Sequence, residues 1–386
     1  MNMKTLLFTK CVDLSGSACR PFSGTKTYVS TGAVDVDHIN DSNTEIVDYD
    51  GKPSRANLEV KAGDILFAKM QGTKKTLMID AVLAENIYST GFCAVRAKED
   101  VLTKRCLYHL LTSDVFLAQK DKNCSGATQK AITNAGLGRI AIQVPSIDNQ
   151  DEIADQLDVI KRIMTKRQQE LSTLDDLIRA LFIEMFGDPN DQSPQWPEAT
   201  IGENCFVTKL AGFEYTSYIH YEDHGDVVMV KAQNVKNGSL NDKELSYISN
   251  EVSDSLPRSQ LSKGDVVMTY VGANIGDAAI IDDRHKYHLA PNVAKIRPNG
   301  EVYNPTFFMY MLMMKTSYIM KNSADTAKAA LGMERIRKLR VLVPPIELQN
   351  DFAALVAQVN RSKTAVQKAL NETQLLYDSM MQKYFG

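Results

Sequence analysis

The clearest pattern along the chain is a heptad spacing of apolar residues that occurs twice. With the frame set at Ile153, the a positions are Ile153, Ile160, Arg167, Leu174 and Leu181, and the d positions are Leu157, Met164, Leu171, Ile178 and Met185. Nine of these ten are apolar. The second set holds Phe352, Val359, Val366, Thr373 and Met380 at a, with Val356, Lys363, Leu370, Tyr377 and Tyr384 at d, and eight of those are apolar or aromatic. Five heptads without proline predict a helix of about 50 Å in each place, with a seam that a partner must cover. One such seam would fit a core-facing helix equally well. Two in one chain favour pairing with each other, and a duplication related by a two-fold makes that pairing antiparallel.

The duplication extends beyond the helices. Val144-Pro145-Ser146-Ile147 followed by Gln150 matches Val343-Pro344-Pro345-Ile346 followed by Gln349, and Phe186-Gly187 matches Phe385-Gly386, all at a shift of 199. Gly63-Asp64-Ile65-Leu66 matches Gly264-Asp265-Val266-Val267 at a shift of 201. Ahead of each helix the pattern changes to short β-branched and aromatic runs broken by Gly, Pro and Asn, which reads as strands. They fall at Asp64 to Lys69, Leu77 to Ile79 and Gly91 to Val95, and again at Val227 to Val230, Asp265 to Val271, Ala278 to Ile281 and Val293 to Ile296. A shorter helix is expected before each Val-Pro exit, from Thr103 to Gln119 and from Pro305 to Lys321. The fold class expected is therefore mixed α/β (α+β). Two globular domains in tandem, 1–148 and 189–346, are each followed by a long helix, 149–188 and 347–386, and the helices pair as an antiparallel coiled coil.

With 386 residues the chain has room for two or three domains, each with its own core. Its charge of −3, 44% hydrophobic and 24% charged content are those of an ordinary globular protein rather than a disordered or fibrous one. The acidity gathers on 149–188, where nine acidic residues face five basic ones. Near-neutral globular parts can still carry a basic stripe, so the totals decide nothing about nucleic acid. The apolar run Phe307 to Met314 is too short to span a bilayer, and Met1 to Lys10 lacks the shape of an export signal, which predicts a cytoplasmic protein without a membrane partner. Six scattered cysteines without a Cys-x-x-Cys pair read as reduced, structural thiols.

Few residue groups suggest catalysis. Glu59-Val60-Lys61 with Asp48 or Asp50 superficially fits a two-carboxylate, lysine-assisted nuclease pattern, but the second copy has Gln260, Leu261 and Ser262 there. His220 and His224 are spaced to share a metal on a helix, yet the glutamate of a zincin is missing, and surface histidines are the better reading. His285 and His288 are read as lying in a polar turn. No nucleophile elbow or phosphate loop occurs, so neither a catalytic residue nor a metal site is expected. More informative is Gly272 to Gly276, which reads as a hairpin tip after a strand and corresponds to Gln71-Gly72-Thr73-Lys74-Lys75 in the first copy. Glycine lets backbone approach a ligand closely, while Asn, Gln, Thr and Lys reach base edges and phosphates. A second corresponding pair is Thr128-Gln129-Lys130 and Thr326-Ala327-Lys328. The candidate DNA-contacting residues are Lys69, Gln71, Thr73, Lys74, Lys75, Thr128 and Lys130 in the first copy, with Asn234, Tyr270, Asn274, Thr326 and Lys328 in the second.

Taken in order, several fragments resemble the specificity subunits of type I restriction-modification systems. They are Pro53-Ser54-Arg55-Ala56 leading to Gly63-Asp64-Ile65-Leu66-Phe67-Ala68, Ser89-Thr90-Gly91-Phe92, and Leu174-Asp175-Asp176-Leu177 running into Phe182 to Pro189. The second half adds Phe213 to Ser217, Val271-Gly272 through Ile275-Gly276, and Val343 to Gln349. The resemblance implies two target-recognition domains, each reading one half of a split, asymmetric sequence in double-stranded DNA, with the paired helices as a ruler. It also implies two adenine-N6 methyltransferase subunits and translocase-nuclease subunits as partners. S-adenosylmethionine, ATP and Mg would bind on those partners and no cofactor on this chain, which lacks an Asp-Pro-Pro-Tyr motif. The competing reading from the residues is a non-catalytic coiled-coil scaffold joining two protein-binding domains.

Overall fold

The computed structural model describes residues 3–191, 193–272, 274–323 and 330–386. The chain divides into two compact units, Met1–Gln169 with Gln367–Gly386, and Glu170–Val366. The long helices, Ile147–Phe186 and Ile346–Phe385, are each 40 residues and about 60 Å long. Each therefore gives one part to each unit.

In the first unit the strand Met3–Leu7 pairs antiparallel with Ala141–Pro145, so the chain enters beside the strand from which the central helix leaves. Besides two short ribbons, Val34–Asp35 with His38–Ile39 and Cys124–Ser125 with Ala131–Ile132, the unit has two four-stranded sheets. One runs Val12–Leu14, Phe92–Ala97, Ile65–Ala68, Thr76–Met78 and is antiparallel throughout. The other runs Glu45–Val47, Lys26–Val29, Ile87–Ser89, Ala56–Leu58 and contains one parallel pair, Lys26–Val29 with Ile87–Ser89. The second unit repeats the entry pair and both four-stranded sheets. Glu198–Thr200 pairs with Arg340–Leu342, and the sheets run Cys205–Lys209, Val293–Pro298, Val266–Thr269, Ala278–Ile280, and Tyr247–Ile248, Val227–Val230, Lys286–Leu289, Gln260–Leu261. The central strands are buried end to end, as their continuous apolar runs require.

The helix expected over Thr103 to Gln119 is two helices, Lys104–Thr112 and Asp114–Lys122. One hydroxyl makes the break: Ser113 Oγ donates to Leu110 O at 2.6 Å and accepts from Phe116 N at 3.0 Å, closing the first helix and capping the second. The counterpart is also two helices, Pro305–Met314 and Thr316–Lys321, broken at Lys315, whose ammonium is buried toward Glu198. His288 is corrected as well. It lies in the strand Lys286–Leu289 with no exposed surface, not in a turn.

The heptad seam is apolar core within each unit. In the first, Ile153, Leu157 and Ile160 from the start of the central helix share a cluster with Tyr377, Met381 and Tyr384 from the end of the C-terminal helix. In the second, Ile178, Phe182 and Phe186 from the end of the central helix meet Phe352, Val356 and Val359 from the start of the other. Start packs on end both times, so the helices run antiparallel. Phe182 stacks on Phe307 with centroids 5.5 Å apart and meets Phe352 edge-on at 5.6 Å, which draws the globular part onto the seam. Leu171 is buried, while Leu174, Leu181, Val366 and Leu370 are half-buried. At roughly 1.5–3 kcal/mol per buried aliphatic or aromatic side chain, each cluster outweighs any single polar contact in its unit. The polar seam positions are paired. Arg167 donates to Ala369 O and Thr373 Oγ1, and Lys363 binds Asp175. No helix among the described residues is long and apolar enough to cross a membrane.

Candidate nucleic-acid interface

The Gly-Asp pairs that mark the repeat build the base of each hairpin. Gly63 and Gly264 take φ of 92° and 87°. The following carboxylates, Asp64 and Asp265, are buried and accept from Lys61 N and Ser262 N, both at 2.8 Å. Each also binds an arginine 32 residues on: Arg96 Nη2 lies 2.7 Å from Asp64 Oδ1, and Arg297 Nε lies 2.5 Å from Asp265 Oδ1. The motif is a structural corner that aims the hairpin.

Above that corner the two candidate loops of the first unit are joined, and the hairpin of the second unit is tied to the matching segments on either side. In the first, Lys69 N donates to Gly91 O at 2.9 Å, Ile132 N to Lys69 O at 2.9 Å, and Gln71 N to Lys130 O at 3.0 Å. In the second, Tyr270 N donates to Asn292 O at 3.0 Å and Leu331 N to Tyr270 O at 2.8 Å. Met70 bridges Ala131 and Val271 bridges Ala330 in the same way. The bonds are main-chain to main-chain in both units, so they form whatever side chains the tips carry.

The hairpin of the first unit has a support that sequence reasoning missed. Lys120, buried on the inner face of Asp114–Lys122, donates its ammonium to Ala68 O at 3.3 Å, Met70 O at 2.7 Å and Thr73 O at 3.0 Å. Burial lowers its pKa and the neighbouring Asp121 opposes that shift. Asp121 Oδ2 accepts from Gly72 N at 2.9 Å. Gly72, at φ 72°, occupies the left-handed region this turn needs. The only signal in the sequence is the i, i+4 spacing of Lys120 from the core residue Phe116. The second unit instead uses Thr269, whose hydroxyl donates to Asn274 O within its own hairpin.

These contacts sort the candidate residues. Gln71, Thr128 and Lys130 are exposed, Lys69 and Thr73 are half-buried, and Asn274 is exposed in the second unit. Tyr270 is half-buried with Lys209 Nζ 5.6 Å from its ring centre. Lys74 is exposed but paired with Asp114 at 2.7 Å, and Lys75 donates to Thr31 O at 2.8 Å. Asn234 is corrected: it is buried, and its carboxamide donates to Asn241 O and Lys243 O, both at 3.1 Å, so it shapes its own loop. Thr326 and Lys328 lie outside the described residues.

A family model for the type I restriction modification DNA specificity domain matches residues 13–173 and 196–373. The chain belongs to this family. It is similar to the EcoBI specificity subunit of Escherichia coli, at 21% identity over 309 residues, 72% of this chain and 63% of that protein. It is also similar to the putative MjaX specificity subunit of Methanocaldococcus jannaschii, at 20% identity over 41% of this chain and 38% of that one. The chain thus matches less than two thirds of the length of these relatives. Among solved structures, one of the type I R-M system, reported for its assembly and conformational transition, has a TM-score of 0.60 at 19% identity, covering 99% of this chain and 97% of that one. The S subunit from M. genitalium has a TM-score of 0.53 at 17% identity, covering 100% and 96%. These neighbours share the fold.

In this specificity-family chain two of the carboxylates weighed for chemistry have partners. Glu59 pairs with Lys26 at 3.8 Å, and Asp48 Oδ1 accepts from Gly51 N. His220 and His224 are exposed and follow the helix Gly212–Tyr218 rather than lying on it, so the i, i+4 arrangement is absent there. All six cysteines are free, and burial pushes each thiol up, Cys93 and Cys106 to about 11 and Cys205 to about 12. A thiol so shifted is protonated at neutral pH and a poor nucleophile.

Proposed function

We propose that this chain is the DNA-recognition subunit of a type I restriction-modification complex and carries out no chemistry itself. Residues 1–148 and 189–346 each read one half of a bipartite, asymmetric target in double-stranded DNA. Helices 149–188 and 347–386 hold the two readers and position two adenine-N6 methyltransferase subunits and the restriction subunits in the cytoplasm. S-adenosylmethionine, ATP and Mg belong to those partners. The observation that carries this reading is the pair of corresponding hairpins, tied at Lys69 and at Tyr270 by matching main-chain bonds but bearing Gln71-Gly72-Thr73-Lys74-Lys75 at one tip and Gly272 to Gly276 at the other. Equal frames with unequal side chains suit two unlike half-sites, with phosphate contacts supplying affinity and base contacts the sequence read.

The test is to map N6-methyladenine across a methylation-free genome expressing this chain with its methyltransferase subunit. A single bipartite motif is expected, and exchange of residues 1–148 for those of a relative should change one half of it alone. A motif that is undivided, or that changes in both halves, refutes the assignment. Methylation identical to that of the methyltransferase subunit alone favours a scaffold joining two protein-binding domains.

A further inference from the structure

One cleft of the second unit has chemistry that neither the repeat nor the reading loops account for. It has a volume of about 390 Å³ and is lined by Lys315, Lys321 and Arg340, with Tyr318 and the carboxylates Glu198 and Asp191. Glu198 holds two of the cations, with Lys315 Nζ at 3.2 Å and Arg340 Nε at 3.0 Å. Lys321 is exposed and has no carboxylate partner among the described residues. Basic character continues along the segment leading to Arg340, where Arg335, Arg337 and Lys338 are accompanied by Glu334 alone. Arg335 donates to Asn322 O at 3.2 Å, which ties that segment to the end of the helix bearing Lys321.

The first unit is an internal control. At the repeat shift of 199, Ala141 stands where Arg340 stands, Gly136 where Arg335 does and Phe116 where Lys315 does, while Lys321 keeps an exposed counterpart in Lys122. Neither the sheet nor the helix seam needs Lys315, Arg335 or Arg340, because the other copy builds both without a cation at those places. They also adjoin the reading loop. The helix Thr316–Lys321 packs its first residue on Gly276 of the hairpin, and the strand bridge from Val271 to Ala330 leads directly into Met333–Lys338.

We propose that this cleft binds a backbone phosphate of the duplex, so that the second unit supplies more of the sequence-independent affinity than the first. Lys321 presents a point charge, the outward edge of the Arg340 guanidinium presents a fork, and Glu198 fixes the guanidinium plane. The inference rests on the DNA-binding reading above.

The test is anisotropy with the full chain and a duplex carrying the mapped motif, titrated between about 50 and 200 mM salt. Lys321→Gln should weaken binding and reduce the magnitude of the log–log salt slope by about 0.9, the value of one phosphate contact, while the methylation motif stays the same. Lys321→Arg should restore the slope, and Lys368→Gln on the C-terminal helix should leave it unaltered. An unchanged slope in a Lys321→Gln protein that still binds specifically overturns the proposal, as does an equal drop in Lys368→Gln. If Lys321→Gln binds duplex normally but no longer co-elutes with the methyltransferase subunit, the cleft takes an acidic protein segment instead. A wild-type chain without salt-dependent duplex binding defeats the functional reading itself.

Discussion

Replacing Lys120 with methionine keeps the length of the side chain and removes only its charge and donors. Three acceptors lose their partner: Ala68 O, Met70 O and Thr73 O. Ala68 is buried, so its carbonyl stays dry and costs about 1–3 kcal/mol unsatisfied. Met70 and Thr73 are half-buried and can regain water, which costs less. Against this, methionine avoids the burial penalty that lowers the lysine's pKa. The net expected loss is about 1–3 kcal/mol, a shift of roughly 5- to 150-fold toward open forms of the hairpin. Because Asp121 still binds Gly72 N, the loop should loosen rather than detach. Hydrogen exchange should quicken at amides 69–76, and the methylation motif should become degenerate in the half assigned to residues 1–148 alone. Unchanged exchange together with an unchanged motif would refute the argument. Loss of both halves at once would show that Lys120 supports the whole chain and not one reading loop.

Three further outcomes follow from buried polar groups. Gln150 accepts from Thr103 N at 2.7 Å and donates to Val101 O and Pro145 O, and Gln349 does the same with Asn304 N, Val302 O and Pro344 O. Gln150→Leu strands one buried and two half-buried groups and should cost about 2–3 kcal/mol of the first unit's stability in denaturant unfolding, with Gln349→Leu doing so in the second. Arg167→Leu gives up a seam donor to Ala369 O and Thr373 Oγ1, and hydrogen exchange should report faster opening of helix residues near 369–373. His288 is buried and its burial lowers its pKa against the opposing pull of the Leu289 and Leu256 backbone, so its folded value lies below the unfolded one near 6.5. The unfolded chain then binds the extra proton: stability is lost as pH falls below about 6.5, at no more than about 1.4 kcal/mol per pH unit, and levels off below the folded pKa. His288→Leu should flatten that slope in unfolding curves recorded from pH 7 downward, and an undiminished slope would place the titration elsewhere.

The parts of the fold that were legible in the sequence are those whose signal is local or doubled. The heptads declare themselves within 35 residues, and all ten a and d positions of each helix are buried or half-buried. The Gly-Asp repeat revealed a shared element but not its purpose, since the arginine that completes it lies 32 residues away. His288 was misread because Asp282 through Lys286 form a charged run that ends just before it, at a strand whose burial depends on a distant partner. The break at Ser113 had a local signature, a serine followed by aspartate inside an apolar pattern, outweighed by the helical spacing on either side. Asn234 has the right chemistry for a base contact and the wrong orientation, which only burial reveals.

The division of labour between backbone and side chain explains how one frame can serve two sequences. The loops are joined through amides and carbonyls at Lys69 and Tyr270, Gly91 and Asn292, Ile132 and Leu331, so substitution at their tips does not threaten the joint. What differs is the support beneath them: an ammonium reaching in from the helix Asp114–Lys122 in one unit, a hydroxyl within the hairpin in the other. A hairpin from the first unit carries three carbonyls that expect Lys120, whereas the matching place in the second holds the buried, apolar Ile319. Single residues at the tip can therefore vary freely, but the hairpin of the first unit is inherited together with its helix, because only that helix satisfies the carbonyls that hold it in shape.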